Sequence, residues 1–101
     1  MKSFLSTDLN LPSSVPYFLW DEPMTVAELK LRLAATSAER TRLLGKVLRE
    51  ARDTDVWKFT TPEDVFRDWR ELLPHLGRRR EFWKFLIESW EKEGLVGKKH
   101  P

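Results

Sequence analysis

The stretch from Thr61 to Trp90, TPEDVFRDWRELLPHLGRRREFWKFLIESW, constrains the fold more than any other part of the chain. It reads as a helix, a short turn and a second helix. The Thr61 hydroxyl is suited to N-capping, and Pro62 suits the first helical position, where a missing N–H costs nothing. Asp64 puts negative charge in the first turn, where the helix dipole favours it. Val65, Phe66, Trp69, Leu72 and Leu73 follow at i, i+1, i+4, i+7 and i+8, one apolar stripe at helical period. Glu63, Arg67 and Glu71 recur every four residues on the other face. Pro74 stops this helix, because the residue before a proline avoids the α region.

His75, Leu76 and Gly77 make the turn, and the next helix runs over residues 79–93 with Gly94 as its C-terminal cap. Its apolar residues, Phe82, Trp83, Phe85, Leu86, Ile87 and Trp90, cover roughly 200° of circumference at 100° per residue, about twice an ordinary core-facing stripe. Such a helix is either sandwiched between two layers or presents apolar surface to a partner. Two solutions follow. One is a two-fold homodimer, with Trp83, Phe85 and Ile87 as contact residues and Trp90 beside them. The other folds Tyr17–Trp20 over the helix within one chain. Self-association is the favoured expectation.

The rest of the chain supplies two more helices. Thr25 and Glu28 stand at capping-box spacing before Val26, Leu29 and Leu33, which predicts a helix over residues 25–35. Thr36 or Ser37 caps the next, over residues 37–52, with Leu43, Leu44, Val47, Leu48 and Ala51 on its inner face. Asp55 to Phe59 is short and aromatic, and reads as one helical turn or an irregular linker with Trp57 buried. The expected fold is all-α: a small bundle of four main helices with an extended N-terminal arm. Residues 1–16 form the arm or tail, 17–93 a single helical domain and 94–101 a flexible C-terminal tail. The expected core is Val26, Leu29, Leu33, Leu43, Leu44, Val47, Leu48, Trp57, Val65, Phe66, Trp69, Leu72, Phe82, Leu86 and Trp90.

Composition narrows the function classes. With 41% hydrophobic residues the chain can build a core without staples, and with no cysteine it has neither disulfides nor thiolate metal sites. A net charge of +2 does not demand a polyanionic partner. No run of about 18 apolar residues is present, and the first residues lack the pattern of a secretory signal, so a cytoplasmic protein is expected. His75 and His100 are the only histidines, and no catalytic or phosphate-loop motif occurs. The expectation is therefore no enzyme activity, no metal and no cofactor.

Two basic features bear on nucleic acid. Arg42, Lys46, Arg49 and Arg52 share one face of the second helix, opposite its apolar stripe, and such a stripe suits phosphates. Arg78, Arg79 and Arg80 open the last helix, where a helix-turn-helix places its base-reading residues. Against this, a recognition helix needs a polar outer face, and this one is mostly aromatic. Arginine at a helix N-terminus also opposes the dipole, which points to an anion or acidic partner there. For both features a plain solvated surface is the simpler alternative.

The elements PYFLWD at Pro16–Asp21, DVWKF at Asp55–Phe59 and the closing REFWKFLIESW resemble a group of short prokaryotic proteins with an N-terminal aromatic-Trp-Asp element. These are often encoded beside nucleotidyltransferase-type abortive-infection toxins. The resemblance spans residues 16–90, rests on aromatic pattern rather than catalytic signatures, and carries over no functional residue. It implies an accessory or antitoxin-like role. The leading expectation is a non-catalytic protein-interaction module whose partner is a toxin-like enzyme or a second copy, with Tyr17, Trp20, Trp83, Phe85, Ile87 and Trp90 as contact residues. The alternative is a DNA-binding regulator that uses the hairpin or the basic face.

Overall fold

The computed structural model describes residues 5–35 and 38–96. The chain is mostly helical. Two short strands, β1 (Leu5–Ser6) and β2 (Val15–Pro16), pair in parallel, with Leu5 opposite Val15 and Ser6 opposite Pro16. The helices are α1 (Val26–Ala34), α2 (Ala38–Glu50), α3 (Asp53–Val56), α4 (Pro62–Arg67), α5 (Trp69–Leu72) and α6 (Arg80–Lys92). Tyr17–Leu19, Leu73–His75 and Gly77–Arg79 are single 3₁₀ turns. A small sheet was not expected of an all-α chain.

The arm is built into the fold because it completes a helix end. The first N–H groups of a helix have no partner within it. In α1 the N–H of Val26 donates to the Ser14 carbonyl at 2.8 Å, and that of Ala27 to the Pro12 carbonyl at 3.0 Å. The third, on Glu28, donates to the Thr25 hydroxyl at 3.1 Å, the expected cap. Only half of the expected capping box forms, since the Glu28 carboxylate turns instead to Arg32 at 2.7 Å. Leu9 then drops into the core, so the segment read as arm or tail supplies a buried side chain, and Phe18 and Leu19 of the helical domain join it there.

α2 is the central element. Six consecutive residues, Leu43 to Leu48, are buried, so its polar side is covered as well as its apolar stripe. Gly45 lets the 73–75 turn cross the helix closely. A Cβ added there would stand 2.3 Å from His75 Cβ. Lys46 is covered by Asp21 and Glu22. The expected caps Thr36 and Ser37 lie outside the described residues.

The predicted helix over 62–73 starts as read, with the Thr61 hydroxyl accepting from the Asp64 N–H and Pro62 at the first position. It breaks at Asp68, whose backbone leaves the helical region at φ −97°, ψ 13°. The sequence shows no helix breaker there. The tertiary reason is the Asp68 carboxylate, which receives Arg40 at 2.6 Å, both side chains being largely buried. The same Arg40 donates through Nε to the Leu33 carbonyl, so one side chain joins the end of α1, α2 and the α4–α5 corner.

The core runs through Leu29, Leu43, Leu44, Val47, Leu48, Val65 and Leu72, all of them expected, and adds Val56, Leu76, Trp83 and Ile87. Leu33, Phe66, Trp69, Leu86 and Trp90 pack against its rim. Trp57 and Phe82 were expected inside and instead are 37% and 38% exposed. After α6, Gly94 takes φ 77°, and the N–H groups of Gly94 and Leu95 return to the carbonyls of Glu91 and Trp90. This is the Schellman arrangement that a C-terminal glycine favours. Val96 beyond it is buried.

Candidate interaction surface

The end of α3, the start of α4 and the end of α6 meet at one edge of the molecule. There Trp57, Pro62, Trp90 and Leu95 line an open apolar groove of about 270 Å³. Local rules place each residue. Pro62 occupies the first position of α4, where proline costs no hydrogen bond. Leu95 is delivered by the Schellman turn, which characteristically brings the residue after the glycine against the helix's last turn, here Trp90. Trp57 follows α3 and lies edge-on to Trp83 (centroids 5.7 Å, 89°) and tilted against Trp90 (5.7 Å, 58°). Beyond Trp83 the aromatic line continues to Phe82 at 5.0 Å, which is capped by the Arg79 guanidinium 4.8 Å from its ring centre.

The contact residues expected from the sequence separate into two sets. Trp83 and Ile87 lie inside the chain's own core, at 0% and 3% exposure, so they offer no surface to a partner. The Trp83 indole donates to the Leu48 carbonyl at 2.7 Å, one of the last α2 carbonyls that no turn of that helix can satisfy. Part of the wide apolar arc is covered from within, Trp83 meeting Leu48 of α2, Trp57 and Arg79, while Phe82 and Phe85 stay exposed. Trp90 is half-buried on the groove wall, and Phe85 stands alone, 67% exposed, on the back of α6. The Tyr17 hydroxyl donates to the Asp55 carboxylate at 2.6 Å and accepts from the Arg52 N–H at 2.8 Å, and burial raises its pKa. Trp20 is 63% exposed. Sequence reading missed Pro62 and Leu95. The signal was present in Gly94-Leu95, since a hydrophobe after a C′ glycine usually packs back on its helix.

The basic face of α2 is largely neutralised by the chain itself. Arg42 forms a forked pair with Glu22 and also reaches Glu39 at 2.9 Å. Lys46 pairs with Asp21, and with Glu22 at 3.0 Å. The Arg42 guanidinium holds the Glu22 carboxyl down to about 2, and Lys46 likewise lowers Asp21. Arg49 binds Glu50 and donates to the His75 carbonyl at 2.7 Å. Arg52 lies over the Tyr17 ring at 5.6 Å. Arg42, Lys46 and Arg49 thereby fasten the arm and the 73–75 turn to α2, while the exposed Arg52 meets a ring rather than a carboxylate.

The three arginines before α6 differ from one another. Arg79 donates to the Ala51 carbonyl at 2.7 Å, closing the end of α2. Arg78 is exposed, and Arg80 stands 4.0 Å from Glu81. His75 uses its carbonyl for Arg49 and its Cβ against Gly45, while His100 lies outside the described residues. Among the described residues no three His, Asp or Glu side chains converge as a metal site, and no helix is long and apolar enough to cross a membrane. Comparison with protein-family models, with curated proteins and with solved structures found no match.

Proposed function

We propose that this chain is a non-catalytic protein-interaction module, an accessory or antitoxin-like partner of an enzyme, and that the groove of Trp57, Pro62, Trp90 and Leu95 receives an apolar side chain of that enzyme. The groove carries the reading. Most large apolar side chains of this protein find the core, yet two tryptophans and a leucine are left around an open recess on one edge. Small-molecule sites usually enclose about 300–1,000 Å³, so a recess of about 270 Å³ with one open side suits a protruding side chain better than a cofactor. Tryptophan-walled recesses of this kind are where interface energy concentrates. The charge pairing along α2 supports the same choice over the DNA-binding reading. The burial of Trp83 and Ile87 removes two of the three residues on which homodimer formation rested.

The test uses the full chain and the product of the gene beside it. Leu95 is 66% exposed, so Leu95→Asp should spare the fold. Binding to the neighbouring protein should weaken by about tenfold or more, the scale of losing one anchoring contact. Binding unaffected by Leu95→Asp would remove the groove. A salt-dependent affinity for random duplex DNA, with log K falling steeply against log salt, would favour the regulator instead. Sedimentation of the free chain should give its 12.0 kDa monomer mass.

A further inference from the structure

The apolar edge ends in a second recess of different chemistry. Arg49, Glu50, Gly77, Arg78 and Arg79 line a cleft of about 420 Å³ where the end of α2 meets the turn before α6. Its construction is specific. Gly77 has φ 52°, and a Cβ there would come within 3.2 Å of Arg49 Cδ, so glycine both permits the turn and leaves a path for the Arg49 stem. Arg49 is held by the His75 carbonyl and Arg79 by the Ala51 carbonyl, each at 2.7 Å. Backbone carbonyls orient a guanidinium without cancelling its charge.

That separates Arg79 from Arg32, Arg42, Lys46, Arg49 and Arg67, all of which pair with carboxylates. Among the described residues no carboxylate pairs with Arg78 or Arg79, and Arg49 meets only Glu50. Three arginines against one glutamate leave a formal local charge of +2 (3 − 1). α6 begins one residue on without a side-chain cap, which adds to the preference for negative charge nearby. Beside the cleft lies the exposed Phe82 ring, with Arg79 stacked on it and the aromatic line leading back to Trp57.

We propose that this cleft binds a carboxylate of an acidic protein segment, the same partner whose apolar side chain occupies the groove. The proposal rests on the interaction reading and names the partner's chemistry: an aspartate or glutamate followed by apolar residues that lie along Phe82 and Trp57. A carboxylate fits better than a nucleic acid. A charge of +2 with Glu50 in the wall matches one or two carboxylates, whereas a polyphosphate backbone needs a track of free cations, and along α2 Arg42 and Lys46 are already paired with carboxylates. Arginine's fork gives a carboxylate two parallel hydrogen bonds.

The full-length protein is titrated with a short Asp-Glu-Phe peptide and with its Asn-Gln-Phe counterpart, following the arginine Nε–H resonances by NMR. The acidic peptide should shift Arg49, Arg78 and Arg79, and the amide peptide should bind at least about tenfold more weakly, the scale of one charge-assisted hydrogen bond. Arg78→Glu, at an exposed position without a carboxylate partner, should abolish the difference. Binding should weaken with added salt. Equal affinity for the two peptides, or indifference to Arg78→Glu, overturns the proposal. So does a random DNA duplex or inorganic phosphate that outcompetes the acidic peptide. Capture of the neighbouring protein that is sensitive to Leu95→Asp but not to Arg78→Glu leaves the module standing and removes the cleft. The opposite pattern removes the groove and keeps the cleft.

Discussion

Gly45→Ala tests how α2 is packed, because two physical effects predict opposite signs. Gly45 lies mid-helix, where replacement by alanine normally stabilises by about 0.8–1 kcal/mol. The structure opposes this. The new Cβ would sit 2.3 Å from His75 Cβ, while carbon atoms rest at about 3.5–4.0 Å. The obstacle is not the free end of a flexible side chain. It is attached directly to the backbone of the 73–75 turn, whose His75 carbonyl also receives Arg49. The turn must retreat by more than about 1 Å, and overpacking of that kind costs about 1–3 kcal/mol. Set against the helical gain of about 0.8–1 kcal/mol, the net expectation is a loss of up to about 2 kcal/mol, read as a lower urea midpoint at unchanged slope. For a domain of this size Tm should fall by up to roughly 15 °C. His75→Gly removes the obstructing atom and leaves His75 Cα at 3.6 Å, an ordinary contact. In a double-mutant cycle the pair should therefore show a favourable coupling of about 1–3 kcal/mol. A Gly45→Ala protein more stable than the parent by the full helical gain of about 0.8–1 kcal/mol would refute the close crossing of α2 by this turn.

Glu22→Gln probes the clamp on the arm. Its folded carboxyl lies at about 2 against an ordinary value of 4.5, so its contribution to stability is full above the ordinary value and is lost as pH falls toward 2. The variant should be less stable at pH 7, and its urea midpoint should fall less steeply between pH 5 and 2. Parallel curves for the two proteins would mean that the pairs to Arg42 and Lys46 add nothing. The orientation of α6 is checked by contrasting two aromatic positions. Trp83→Phe loses ring volume and strands the Leu48 carbonyl in the core, at a cost of about 2–4 kcal/mol. Phe85→Ser, at an exposed site, should change stability by no more than about 0.5 kcal/mol in the same unfolding assay. A larger loss at Phe85 than at Trp83 would mean that the helix is rotated.

The regular elements were legible because local rules govern them. Thr25 and Thr61 cap as read, Pro62 and Gly94 sit where their backbone preferences put them, and the stripes of α1 and α2 identify much of the core. What lay beyond the sequence was what covers each face. The periodicity of α6 shows that its apolar arc is wide, but not which part of the arc faces α2. The structure buries Trp83 and Ile87, half-buries Trp90 and leaves Phe82 and Phe85 out, because the Trp83 indole finds an unpaired carbonyl at the end of α2. Likewise α2 reads as amphipathic on a helical wheel. Only the fold returns Asp21 and Glu22 to Lys46 and Arg42, and lays the 73–75 turn against Gly45. The break at Asp68 has the same origin, a carboxylate drawn to Arg40 from 28 residues away. Caps and stripes are decided by neighbours three or four positions along the chain, so sequence alone determines them. The groove and the arginine cleft join residues from several elements and depend on which orphan carbonyl or unpaired charge each side chain meets, so tertiary structure alone decided them.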